Sequence, residues 1–128
     1  MIIRIDTVST TPIYVQLRNE IVKGIGRGEL SEGECLPTVR QLAADLGVNS
    51  MTGSKAYQRV KAEGFIETDR RRGAIVRSGV QSGAQPDERF REKLEDELEL
   101  LSAEAKIKGL GREEFIHLCS MAFAGMEG

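Results

Sequence analysis

The stretch Leu36-Pro37-Thr38-Val39-Arg40-Gln41-Leu42-Ala43-Ala44-Asp45-Leu46-Gly47-Val48-Asn49-Ser50 holds two helix starts and one helix stop. Thr38 and Gln41 fit a capping box, in which the threonine hydroxyl accepts from the amide three residues on and the glutamine reaches back. Val39, Leu42, Ala43 and Leu46 recur at helical spacing and give this short helix one buried face. Gly47 permits the left-handed backbone that ends it, and Asn49 offers a side-chain acceptor to the first free amides of a further helix. That helix is expected to run to about Glu63, where Gly64 stops it. Two short helices joined by a Gly-containing turn form a helix-turn-helix.

Upstream, Ser9-Thr10-Thr11 before Pro12 predicts a hydroxyl-capped helix with proline at its first position, where the missing N–H costs no hydrogen bond. Ile13, Leu17, Ile21 and Ile25 form its inner face, Gly26 and Gly28 end it, and Leu30 and Leu36 return the following connection to the core. Downstream, Phe65-Ile66-Glu67-Thr68 and Ala74-Ile75-Val76-Arg77 read as strands flanking a hairpin tip, Asp69-Arg70-Arg71-Arg72-Gly73. The expected fold is therefore mainly α with a small β-wing: a winged helix-turn-helix domain over residues 1–79.

Residues 78–86 have the Gly, Ser, Gln and Pro content of a linker, and a long charged helix is predicted from about Asp87 to Lys108. Phe90, Leu94, Leu98, Leu101 and Ala105 form a narrow apolar seam on it. After Gly109-Leu110-Gly111, a last helix carries Phe115, Cys119, Ala122 and Met126 on one stripe, with Ile116 and Phe123 beside it. Two helices of this size cannot enclose such a stripe by themselves, so residues 80–128 are read as a linker and a two-helix dimerisation segment. The homodimer it would make supplies the two-fold axis that sets two recognition helices about 34 Å apart.

The formal net charge is −2, but it is unevenly placed. Residues 1–80 hold 12 Lys+Arg against 9 Asp+Glu, and residues 81–128 hold 6 against 11, so the two parts carry +3 and −5. The first can approach phosphate and the second is repelled by it. Neither a run of about 20 apolar residues nor a signal peptide is visible, so a cytoplasmic protein with no membrane partner is expected. Cys35, Cys119 and the lone His117 lack neighbours at metal-ligand spacing, and the cysteines read as reduced thiols. No metal and no cofactor are expected. No Gly-rich phosphate loop, nucleophile elbow or ligand cluster marks an enzyme either.

With Ala56, Tyr57 and Val60 inward on the third helix, Met51, Lys55 and Gln58 face outward, flanked by Ser54 on one side and by Thr52 and Arg59 on the other. Asn49, Ser50, Met51 and Thr52, in the first turn, would lie nearest the bases of a major groove, with Met51 suited to a thymine methyl. Arg70, Arg71, Arg72 and Gly73 make a cationic tip for a minor groove or the phosphates, and Arg40 is a candidate phosphate clamp.

The strings TPIYVQLRNEI, GELSEGECLPTVRQLAADLGVN and AYQRVKAEGFIE resemble the winged-helix domain of the GntR family of bacterial transcriptional regulators over roughly residues 9–77. The resemblance implies a sequence-specific repressor or activator, with repression the expected role, that binds a palindromic operator in double-stranded DNA as a homodimer. By motif position it implies phosphate contacts for Thr38 and Arg40, a major-groove role for residues 49–55, and a minor-groove role for the wing around Arg72 and Gly73. The short tail is similar to the YtrA-like subfamily, which has a small dimerisation segment. Any effector would have to bind between subunits, since so short a tail cannot close a pocket alone. Ser50 and Ser54 stand where the family often has basic residues. Gly53 stands where an aliphatic residue normally seats the helix, so a looser recognition helix, or one that orders on DNA, is expected. The competing reading is a winged helix that binds an acidic protein surface without reading DNA.

Overall fold

Pro12 is the N-cap of the first helix, α1 (Ile13–Gly26), and not its first helical residue. No side chain caps this end: the Ser9 hydroxyl accepts instead from the amide of Thr11, and Gln16 bonds the carbonyl oxygens of Asp6 and Thr11. The expected hydroxyl cap is thus absent, and Gln16 instead ties the chain before the helix onto α1. This computed structural model describes residues 3–77 and 88–127, and the chain divides into two compact units, Met1–Gly83 and Ala84–Gly128. The expected linker and the boundary after residue 79 lie outside the described residues.

In the first unit α2 (Val39–Leu46) has the predicted capping box, and Gly47 ends it at φ +69°. Asn49 caps α3 (Ser50–Ala62), its side-chain oxygen accepting from the Met51 amide at 2.7 Å. Strands β1 (Ile66–Asp69) and β2 (Gly73–Val76) pair antiparallel, from Ile66 opposite Val76 to Asp69 opposite Gly73. Each strand lies one residue nearer the tip than the sequence suggests, because the ladder continues to Asp69 and Gly73. The tip proper is Arg70-Arg71-Arg72.

The connection before α2 does more than turn the chain. The Leu36 amide donates to the Ala74 carbonyl, the Gly33 amide to Val76, and the Val76 amide to Glu34, so residues 33–36 run along the free edge of β2. This covers an edge that would otherwise expose unpaired backbone groups, and it ties the wing to the helix-turn-helix. The core gathers Leu17, Ile21 and Ile25 of α1, Leu30, Leu36, Leu42, Ala56, Tyr57 and Val60, with Ile66 and Val76 of the wing. Val39 and Leu46 are only partly buried at its margin.

Gly53 departs from expectation. It is buried, α3 is unbroken through it, and a Cβ built there would stand 3.1 Å from Cγ1 of Val39. The glycine lets α3 approach α2 closely, so it tightens the contact that the sequence reading takes it to loosen. Gly53→Val is therefore expected to lower Tm by several degrees, since overpacking at about 1–3 kcal/mol outweighs the gain in helix propensity. Combining it with Val39→Ala recovers part of the loss. A higher Tm for Gly53→Val alone, by differential scanning fluorimetry, would contradict this account.

In the second unit α4 (Glu88–Ile107) and α5 (Arg112–Ala124) form a helical hairpin through Gly109, at φ +88°. The Leu110 amide closes the end of α4 on the Ala105 carbonyl. Ala105, Leu110, Phe115 and Met126 are half-buried, and neither helix has a buried residue. Ten of the twelve large apolar side chains exposed among the described residues belong to this hairpin, so the hairpin does not bury its own apolar stripe.

Candidate nucleic-acid interface

The outward face of α3 follows directly from what its inner face must do. Gly53, Ala56, Tyr57 and Val60 are buried, which leaves Ser50, Met51, Lys55, Gln58 and Arg59 exposed and Thr52 and Ser54 half-exposed. Met51 is 78% exposed, a large apolar side chain held in water at the first turn of the helix. Asn49 spends its carbonyl oxygen on the Met51 amide, which leaves its NH2 group as a donor beside the positive end of the helix dipole.

α3 is locked in place at its middle and at its C-terminal end. Tyr57 donates its hydroxyl to the Pro37 carbonyl at 2.6 Å, fixing the middle of α3 to the turn before α2. At the C-terminal end Arg18 of α1 makes a two-pronged bond to Glu63, at 2.9 and 2.7 Å, and lies over the Phe65 ring. Arg59 also pairs with Glu63, at 3.6 Å. It stands at the anchored end of α3 with its side chain still 47% exposed. The sequence marks none of these long-range locks.

Burial pushes the Tyr57 hydroxyl up to about pKa 12 from 10. The folded protein holds this proton more tightly than the unfolded chain, so the associated stability is complete below pH 10 and is lost as pH rises towards 12. Denaturant titrations from pH 7 to 12 should show this as a decline of up to about 1.4 kcal/mol per pH unit in that window. Tyr57→Phe should be less stable by about 1 kcal/mol at pH 7 and should lack that part of the decline. Equal alkaline slopes in the two proteins would contradict the assignment.

The three arginines of the wing are not equivalent. The Asp69 carboxylate accepts from the amides of Arg71 and Arg72, at 2.8 and 3.0 Å, and these donors, helped by the Arg72 guanidinium, hold its carboxyl below the ordinary range. Arg72 pairs with Asp69 at 3.6 Å and donates to the Gly33 carbonyl at 3.1 Å, so it braces the tip against the connection before α2. The guanidinium groups of Arg70 and Arg71 are exposed and make no hydrogen bond or ion pair with any described residue. Gly73, at φ +77°, closes the tip. In α2, Arg40 is exposed and equally unpaired among the described residues, whereas Thr38 spends its hydroxyl on the capping box, accepting from the Gln41 amide and donating to its Oε1.

A groove of about 530 Å³ lies along α3, lined by Met51, Thr52, Ser54, Lys55 and Gln58 and closed on one side by Tyr14 of α1. Tyr14 is the one lining residue that the sequence reading misses, because only the crossing of α1 and α3 brings it there. No group of metal-ligating side chains occurs among the described residues, and none of their helices is long and apolar enough to cross a membrane.

A sequence profile of the family described as bacterial regulatory proteins, gntR family, matches residues 11–76, all of the helix-turn-helix and wing. The chain belongs to the gntR family. Among gntR-family relatives it is similar to the HTH-type transcriptional repressor YtrA of Bacillus subtilis, with 39% identity over 80 residues that cover 62% of each protein. The chain thus spans about six tenths of that relative's length. Among solved structures it resembles YtrA from Sulfolobus acidocaldarius, described as a GntR-family transcription factor, with TM-score 0.67, 39% identity and coverage of 80% of this chain and 99% of that one. A transcriptional antiterminator from Listeria monocytogenes EGD-e matches 100% of this chain and 94% of its own, with TM-score 0.88 and 26% identity. The two YtrA likenesses place the chain with the YtrA-like gntR regulators, and the Listeria likeness covers the whole chain, helical hairpin included.

Proposed function

We propose that this chain is a sequence-specific repressor that binds a palindromic operator in duplex DNA as a homodimer. The observation that carries the reading is the divided α3 helix: it is locked on its inner side by Tyr57 and, through Glu63, by Arg18, and it presents Met51, Lys55 and Gln58 outward with no carboxylate partner for the lysine among the described residues. A base-reading helix needs both properties, because fixed geometry turns a hydrogen-bond preference into discrimination between bases. Asn49, Ser50, Met51, Thr52, Ser54 and Lys55 read base edges, while Arg40, Arg70 and Arg71 supply most of the phosphate and groove attraction. Arg72, Gly73 and Thr38 shape the surfaces that present them.

The homodimer rests on the hairpin. Phe90, Leu94, Leu98 and Leu101 stand 47%, 42%, 39% and 52% exposed along one side of α4, and Phe123 of α5 is 69% exposed. Cys119 and Ala122 line an open groove of about 530 Å³ between α4 and α5, with Phe115 at its floor. Met126 adds to the same stripe. A second copy laid along this face would bury a seam that water otherwise wets, and stable interfaces need about 800 Å² from each partner. The same groove is where an effector would bind if one exists, closed by the second subunit. Repression follows by occupancy of promoter DNA in the cytoplasm.

The test is selection from a randomised duplex library by the purified chain, read at rising salt. Enrichment of an inverted repeat supports the reading. Salt-sensitive binding with no enriched sequence, or no binding to duplex at all, would overturn it in favour of a protein-binding winged helix.

A further inference from the structure

Lys55 does not project freely from α3. Its ammonium nitrogen lies 4.0 Å from the centre of the Tyr14 ring, on the first turn of α1, and no carboxylate among the described residues competes for it. A cation over a ring face is held by the ring quadrupole. Holding a lysine matters because its four-carbon stem otherwise carries much rotamer freedom, which any contact to a base must remove. The ring takes one side of the ammonium and leaves outward N–H donors unspent. Those donors open into the groove that Tyr14 closes, beside Met51 and Thr52.

We propose that Tyr14 is a positioning residue for base readout, which fixes the Lys55 ammonium so that α3 selects guanine at one position of each half-site. Guanine is the base class because its O6 and N7 are paired acceptors on the major-groove edge, the arrangement a held cationic donor recognises. The adjacent Met51, bare and apolar, favours a thymine methyl next to it. Readout by α3 thereby depends on a residue of α1. The proposal rests on the DNA-binding reading above.

The experiment compares the parent with Tyr14→Phe, Tyr14→Leu, Lys55→Gln and the double variant Tyr14→Leu/Lys55→Gln, using duplexes selected by the parent and single-base variants of them. Tyr14→Phe keeps the ring and should keep the guanine preference within about twofold. Tyr14→Leu and Lys55→Gln should each reduce that preference from about tenfold or more to about threefold or less, within the discrimination a good contact supplies. The double variant should be no less selective than Lys55→Gln, because Tyr14 acts through the lysine. Without DNA, the Lys55 ε-methylene protons should resonate upfield in the parent and in Tyr14→Phe and lose that shift in Tyr14→Leu. A merely structural Tyr14 would instead weaken binding to all sequences alike and lower Tm, with the guanine preference intact. That outcome, or an unshifted Lys55 in the parent, would overturn the proposal. If the parent enriches no duplex at all, the DNA-binding reading falls and this proposal falls with it; if the parent selects guanine and Tyr14→Leu does so equally, only the role of Tyr14 falls.

Discussion

Replacing Leu94 and Leu98 together by aspartate is expected to convert the protein to monomers and to cut operator affinity by about a hundredfold or more. The two leucines are one turn apart on α4 and less than half exposed, at 42% and 39%, so they lie at the centre of the apolar seam and not at its rim. In a two-fold symmetric interface each substitution counts twice, so four carboxylates would enter an apolar seam. An unpaired charge in such a setting costs several kcal/mol. Affinity for a two-site operator falls with it, because the second half-site is no longer engaged at the high local concentration a dimer provides, an advantage on the order of 10²–10⁴. Sedimentation gives the oligomer and anisotropy on the selected duplex gives the affinity. A double variant that still sediments as a dimer would contradict the assignment of the hairpin.

The second large effect is electrostatic. Arg40→Ala, Arg70→Ala and Arg71→Ala combined should weaken binding to every duplex and flatten its salt dependence, since each lost phosphate contact removes about 0.9 from the slope of log affinity against log salt. Six arginines in a dimer would remove about 5 from that slope if each touches one phosphate. Arg72 is left intact because it braces the wing on Gly33 and Asp69, and its removal would confound lost charge with a displaced tip. A triple variant with the parent's salt slope would place the DNA elsewhere on the surface.

Most of the fold was legible because its signals are local. The Thr38 and Gln41 box, Gly47, Asn49 and the alternation around the Arg-rich tip each act within four residues, and the structure has all of them. What the sequence concealed depends on pieces brought together from afar. The close approach of α3 to Val39 reverses the meaning of Gly53, and residues 33–36 become an edge strand only once β2 lies beside them. The candidate interface divides in the same way. Helical spacing sorted α3 into inner and outer faces correctly, but it could not tell a free arginine from an engaged one. Arg72 reads like Arg70 and Arg71 until Gly33, distant in the chain, is seen to accept from it, whereas its pair with Asp69 and the pair of Arg59 with Glu63 are local. Tyr14 read only as part of a helix start, since nothing near it in the chain points to Lys55.

Two copies of this chain are proposed to read one inverted repeat. The most direct measurement is the mass and affinity of the complex with the selected palindromic duplex, against the same duplex scrambled, at one fixed salt concentration. Two protomers per palindrome are expected, with binding tighter than to the scrambled duplex by about 10³ or more, the separation typical of specific from non-specific complexes. Equal affinity for the two duplexes, or a single protomer on the palindrome, would contradict the proposal.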